Sequence, residues 1–222
     1  SMYTANLPTG ARQKLVRHIK KLDVDFVIID VGAGTSFNTL DYFMMANYNI
    51  CITTPEPTAV LDLYRFVKLG VIRKALSVFL ASDDIRKTIA KTNIQNIEQI
   101  FALAADAGED KQAAAKEAVN SFKPLLVANR AGGKRKRIHT LQLQQLLKKY
   151  VGVDSITQLG EIPVDSVVED SVAAFQPIVS YASTSPAAKA MEQITDNLLD
   201  IIEQDSRSAQ EKEATAPNSV LL

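Results

Sequence analysis

The residues best suited to chemistry stand together in Asp25-Phe-Val-Ile-Ile-Asp30-Val-Gly-Ala-Gly34-Thr35, an apolar run that ends on an acid and two glycines. Such a run predicts a buried parallel strand over 26–30 whose carboxyl end opens onto a site. Ligands in open parallel sheets bind outside those strand ends, where Gly32 and Gly34 would let the backbone turn and come close to one. Asp30 has two readings here. It either caps a turn, or it orients magnesium and its waters beside a phosphate.

Other candidate chemistries fail on spacing. Gly32-Ala-Gly34 does not begin a dinucleotide fingerprint, because Phe37 occupies the third glycine position. Gly132-Gly-Lys134 is not a phosphate loop: Arg135 stands where Ser or Thr must hold the metal, and Ala128 where the leading glycine belongs. His18 and His139 lie on polar, basic stretches with no acid or cysteine at ligand spacing, and no Ser/His/Asp or Cys/His arrangement is readable. The pairs Asp83-Asp84 and Glu109-Asp110 fall at expected helix starts, where the helix dipole favours acids. The run Lys134, Arg135, Lys136, Arg137 is either a solvated helix start or, set against the dipole, a contact for a phosphate, an acidic lipid or DNA.

These residues need elements to position them. An amphipathic helix with Leu15, Val16, Ile19 and Leu22 on one face precedes strand 26–30. Ser36 caps a helix carrying Phe37, Leu40, Met44 and Met45; strand 49–54 follows; Pro55 and Pro57 stop it, and Thr58 caps the next helix. Residues 70–122 carry helical spacing throughout, with a break at Gly108. Strand 125–128 leads through Asn129 and the basic loop to helix 138–150. A short strand over 157–162 ends at Pro163, helix 165–174 follows, and Ser185-Pro186 opens a last helix to about Gln204. Residues 205–222 are polar and proline-interrupted, and are expected to be disordered. Strands alternating with helices predict an α/β fold with a mostly parallel sheet.

The 222 residues, 46% of them hydrophobic, suffice for a full core, and 25 basic against 25 acidic residues argue against a chain-wide polyanion binder. A single cysteine, Cys51, excludes an intrachain disulfide framework and points to a reducing, cytoplasmic setting. Ser1-Met2 reads as an expression remnant and suggests a fragment.

Four words occur in fixed order: Asp30-x-x-Ala33-Gly34, Thr54-Pro-Glu-Pro-Thr58, Asn129 at a strand end, and Leu159-Gly-Glu-Ile-Pro163-x-Asp165. With them the chain resembles the MinD/ParA group of deviant Walker-A ATPases, in its MinD/FlhG-like branch, over roughly residues 12–69 and 124–204. The resemblance implies a three-layer, P-loop NTPase-like fold of SIMIBI type. Residues 1–204 would form a truncated nucleotide-binding domain with a helical insertion at 70–122, followed by the tail at 205–222. It implies Asp30 near magnesium, switch II at Gly32, Ala33, Gly34 and Thr35, adenine recognition by Asn129 with Arg130 beside it, and a base pocket lined by Pro163 and Asp165. Members bind ATP, form homodimers, and use hydrolysis to cycle on and off a membrane, nucleoid or protein partner in flagellar or cell-division placement.

The family's opening strand, two-lysine phosphate loop and switch I have no counterpart in these residues. The chain as given is therefore expected neither to bind ATP tightly nor to hydrolyse it, since nothing in it neutralises the β- and γ-phosphates. The family's amphipathic membrane helix is also missing after Gln204, where only Val220-Leu-Leu222 is apolar, so direct membrane or DNA contact is not favoured over a protein partner. The rival reading is a non-catalytic partner-binding module derived from this fold. A third, an amidotransferase or cobyrinic-acid-type synthetase, would need a substrate domain.

Overall fold

Three strands, β1 (Ile50–Thr53), β2 (Leu125–Ala131) and β3 (Thr157–Pro163), pair in parallel in the order β1-β2-β3. They belong to a computed structural model that describes residues 9–19, 21–32, 34, 36–91, 94, 96–132 and 140–215. The described helices are α1 (Thr9–Ile19), α2 (Phe37–Met45), α3 (Pro57–Leu76), α4 (Ser82–Lys91), α5 (Ile97–Ala107), α6 (Glu109–Asn120), α7 (Thr140–Val151), α8 (Val167–Ala173), α9 (Ile178–Tyr181) and α10 (Pro186–Thr215). The protein is α/β, with a small parallel sheet and many helices. It divides into two units: one holds α1, α2, most of α3, α4 to α6 and α7, and the other holds the sheet, the start of α3, and α8 to α10.

In the helical unit, Val67, Val71 and Ala75 of α3 recur every four residues and are fully buried. Burying one such valine contributes about 1.5–3 kcal/mol. Phe43 of α2 meets Phe66 edge-on, with ring centroids 4.8 Å apart, and Phe122 at 6.4 Å. Among these apolar groups an ion pair joins half-buried Asp41 of α2 to buried Arg73 of α3. Ser36 caps α2 as its sequence predicts, accepting the Thr39 N–H at 3.1 Å. Gly108 makes the break between α5 and α6 with a backbone φ of +136°, which a side chain would strain.

In the sheet unit, Leu125, Leu126, Val127 and Ala128 are all buried, so both faces of the central strand are covered. β1 is an edge strand with Cys51 and Thr53 buried and Ile50 and Ile52 exposed. α10 lies along β3, and Gly160 makes that approach possible: a Cβ there would sit 2.6 Å from Ile194 Cγ1. Ser185 caps α10 by accepting the Ala188 N–H at 3.2 Å, with Pro186 in the first turn.

Several expectations change. Residues 26–30 form no strand: the segment belongs to no regular element, with Ile28 93% and Phe26 61% exposed. Strand propensity reflects packing against neighbours, and no ladder among the described residues pairs this segment. Thr58 does not cap α3. The helix starts at Pro57, whose missing N–H suits the first position, and the Glu56 carbonyl accepts the Val60 N–H at 3.1 Å. α10 continues past Gln204 to Thr215, so the described part of the expected disordered tail is helical. The extension contains no Gly or Pro, and Arg207 reaches back to Glu203 at 3.1 Å. No helix among the described residues is long and apolar enough to cross a membrane.

Candidate functional site at the carboxyl ends of β2 and β3

β2 runs on past Ala128 through Asn129 and Arg130 to Ala131. Ala128 pairs with Glu161 and Ala131 with Pro163, so β2 takes one more residue than β3 over the same length. This is a β-bulge, a device that re-aims side chains beside binding sites. Arg130 absorbs it with φ +55°, a left-handed conformation unusual outside glycine and strained for an arginine. Asn129 Oδ1 accepts the Arg130 N–H at 2.8 Å and holds the turn. With that oxygen committed, Asn129 offers a ligand its NH2 group, and exposed Arg130 offers a guanidinium.

β3 ends beside it. The Val164 N–H donates to the Ala131 carbonyl at 3.0 Å, so the Asn129-Arg130 turn and the Pro163-Val164-Asp165 turn are neighbours at one edge of the sheet. Asp165 lies beyond the strand with both carboxylate oxygens engaged. Oδ2 accepts the Ala187 N–H of α10 at 3.1 Å, and Oδ1 accepts the Val167 N–H of α8 at 3.1 Å. The Ala187 N–H leads in holding this carboxyl below its ordinary range, with the Val167 N–H and the Ser185 hydroxyl adding to it. Sequence reasoning missed this clasp. Ser185-Pro186 signals a helix start, but nothing in the spacing says that an acid 22 residues before Ala187 also serves that helix.

The structure thus brings Asn129, Arg130, Pro163 and Asp165 together. Asp30, Gly32 and Gly34 belong to the helical unit. All three are exposed; Gly34 has φ +105°, and nothing lies within 4 Å of where a Cβ on either glycine would stand. Ala33, Thr35, Lys134, Arg135, Lys136, Arg137 and His139 lie outside the described residues. His18 is exposed, its Nδ1 2.8 Å from the Lys14 carbonyl. Among the described residues no three His, Cys, Asp or Glu side chains gather where they could hold a metal. One carboxylate does not fix magnesium, so Asp30 fits the ion only if phosphate oxygens and water complete its shell. Cys51 is sealed in β1, and burial pushes its thiol up to about 12.

No protein-family model matches the chain. Part of it is similar to the flagellum site-determining protein YlxH of Helicobacter pylori, at 25% identity over 87 residues. The match covers 34% of this chain and 29% of that protein, well under two thirds of the relative's length.

Proposed function

We propose that the chain carries the adenine-recognising part of a MinD/ParA-like regulatory or positioning ATPase, in which ATP drives dimerisation and hydrolysis resets it. The observation that carries this reading is the junction of the β2 bulge with the β3 end at Ala131 and Val164. A parallel sheet takes its ligand at such an edge, and a strained residue persists where a site needs it. In this role the Asn129 NH2 donates to a ring nitrogen of the base, Pro163 offers an apolar wall, and Arg130 covers the outer edge. Asp165 holds the wall in place through α8 and α10. Residues 1–204 would make up this domain, with 70–122 as its insertion. Asp30 and the switch II residues Gly32 to Thr35 stand as the candidates for magnesium on the resemblance alone. The partial likeness to a flagellum site-determining protein supports a role in flagellar placement.

Saturation-transfer NMR with adenosine and guanosine tests the base site. Transfer to the adenosine base protons is expected, with little to guanosine, and Asn129→Ala should remove it. Equal transfer to both nucleosides, or an unchanged signal in Asn129→Ala, would overturn the site. Isothermal titration of ATP should show no micromolar binding and phosphate release should stay at background. Micromolar ATP affinity would show that the phosphates find a grip here after all.

A further inference from the structure

α8 and α9 pack together through Val167, Val168 and Ile178, which lie around a small core with Ala187 and Ala188. The turn between them is a Schellman motif. The Phe175 N–H bonds the Val172 carbonyl at 3.0 Å, and the Gln176 N–H bonds the Ser171 carbonyl at 2.9 Å. This motif requires a left-handed residue after the helix end, usually glycine. Here that residue is Phe175, with φ +54° and 95% of its surface exposed. The ring accepts an unfavourable backbone conformation and packs against almost nothing in return. Val172, one turn earlier, is 67% exposed, and Val179 and Tyr181 of α9 are also exposed. A phenylalanine held in this position by the fold presents a preformed anchor.

Charge defines what it anchors. From Thr157 to Ala188 the sheet unit carries no lysine or arginine, whereas Glu161, Glu169 and Asp170 are exposed acids. Glu169 and Asp170 are exposed on α8 beside Val172. Anionic lipid and nucleic acid are repelled by such a surface, and a cationic apolar one is attracted. We infer that the α8–α9 corner docks a cationic amphipathic helix of a partner protein, with Phe175 entering its apolar stripe and Glu169 and Asp170 facing its basic flank.

The probe is a labelled Leu/Lys amphipathic peptide of about five turns, titrated by fluorescence anisotropy, with its Leu/Glu counterpart as control. The full chain should bind the Leu/Lys peptide and ignore the control. Phe175→Gly should weaken binding at least about tenfold, as removal of an anchoring aromatic does, while raising the melting temperature, because glycine suits the turn. Glu169→Lys with Asp170→Lys should shift the preference towards the Leu/Glu peptide. Unchanged affinity in Phe175→Gly, equal binding of both peptides, or association with phosphatidylglycerol vesicles but not with the peptide would overturn the assignment.

Discussion

A carboxylate held by two backbone N–H groups and a hydroxyl has little left for a ligand, and Asp165 is in that condition. It positions its neighbours: one side chain joins the end of β3 to the starts of α8 and α10. Its folded pKa lies below its ordinary 3.8, so the stability it contributes is complete above that value and is lost as pH falls through the folded pKa. Asp165→Asn should lower the urea midpoint at neutral pH, because the amide can no longer accept from both helices. It should also flatten the loss of stability below about pH 4 that the wild type shows. Equal slopes for the two proteins in acid would refute the clasp. The resemblance drew attention to Pro163-x-Asp165 as part of a base pocket, but gave no sign of the clasp that Asp165 makes. The partners of the acid, Ser185 and Ala187, come from another helix, and only the folded chain brings them together.

At the scale of elements, local rules read the helices well and the strands less evenly. Ser36, Gly108 and Ser185 act through groups a few residues away, so their caps and breaks were legible. The end of β2 was not. Its last residues, Asn129 to Ala131, belong to the sheet through a bulge, and register is a property of two strands rather than one. Residues 26–30 went the other way, since their composition suits a strand and no ladder receives them. Gly160 combines both lessons. It stands in one of the words that carry the resemblance, yet its necessity comes from Ile194 of α10. Gly160→Ala should destabilise the protein by about 1–3 kcal/mol, the range for overpacking a tight contact, measured as a lower denaturation midpoint. An unchanged midpoint would mean that α10 can draw back from β3 at little cost.

For the molecule as a whole, exposed apolar surface is the dominant liability. Leu22, Val24, Phe26, Val27 and Ile28 form an unpaired, strand-competent stretch that carries a hazard of intermolecular pairing. Sedimentation should reveal concentration-dependent self-association, and Ile28→Lys should reduce it with a stability change within about 0.5 kcal/mol, as befits a side chain already in water. Self-association that is untouched by this change would place its cause elsewhere. The other extended feature is α10, whose residues from Glu203 to Arg207 are all in water. An α-helix advances about 1.5 Å and turns about 100° with each residue. The direction in which the helix ends at Thr215 is therefore set by residue count, and inserting one alanine into its bare part would swing a reporter fused directly to Thr215 roughly a quarter of the way around the axis while hardly lengthening its reach.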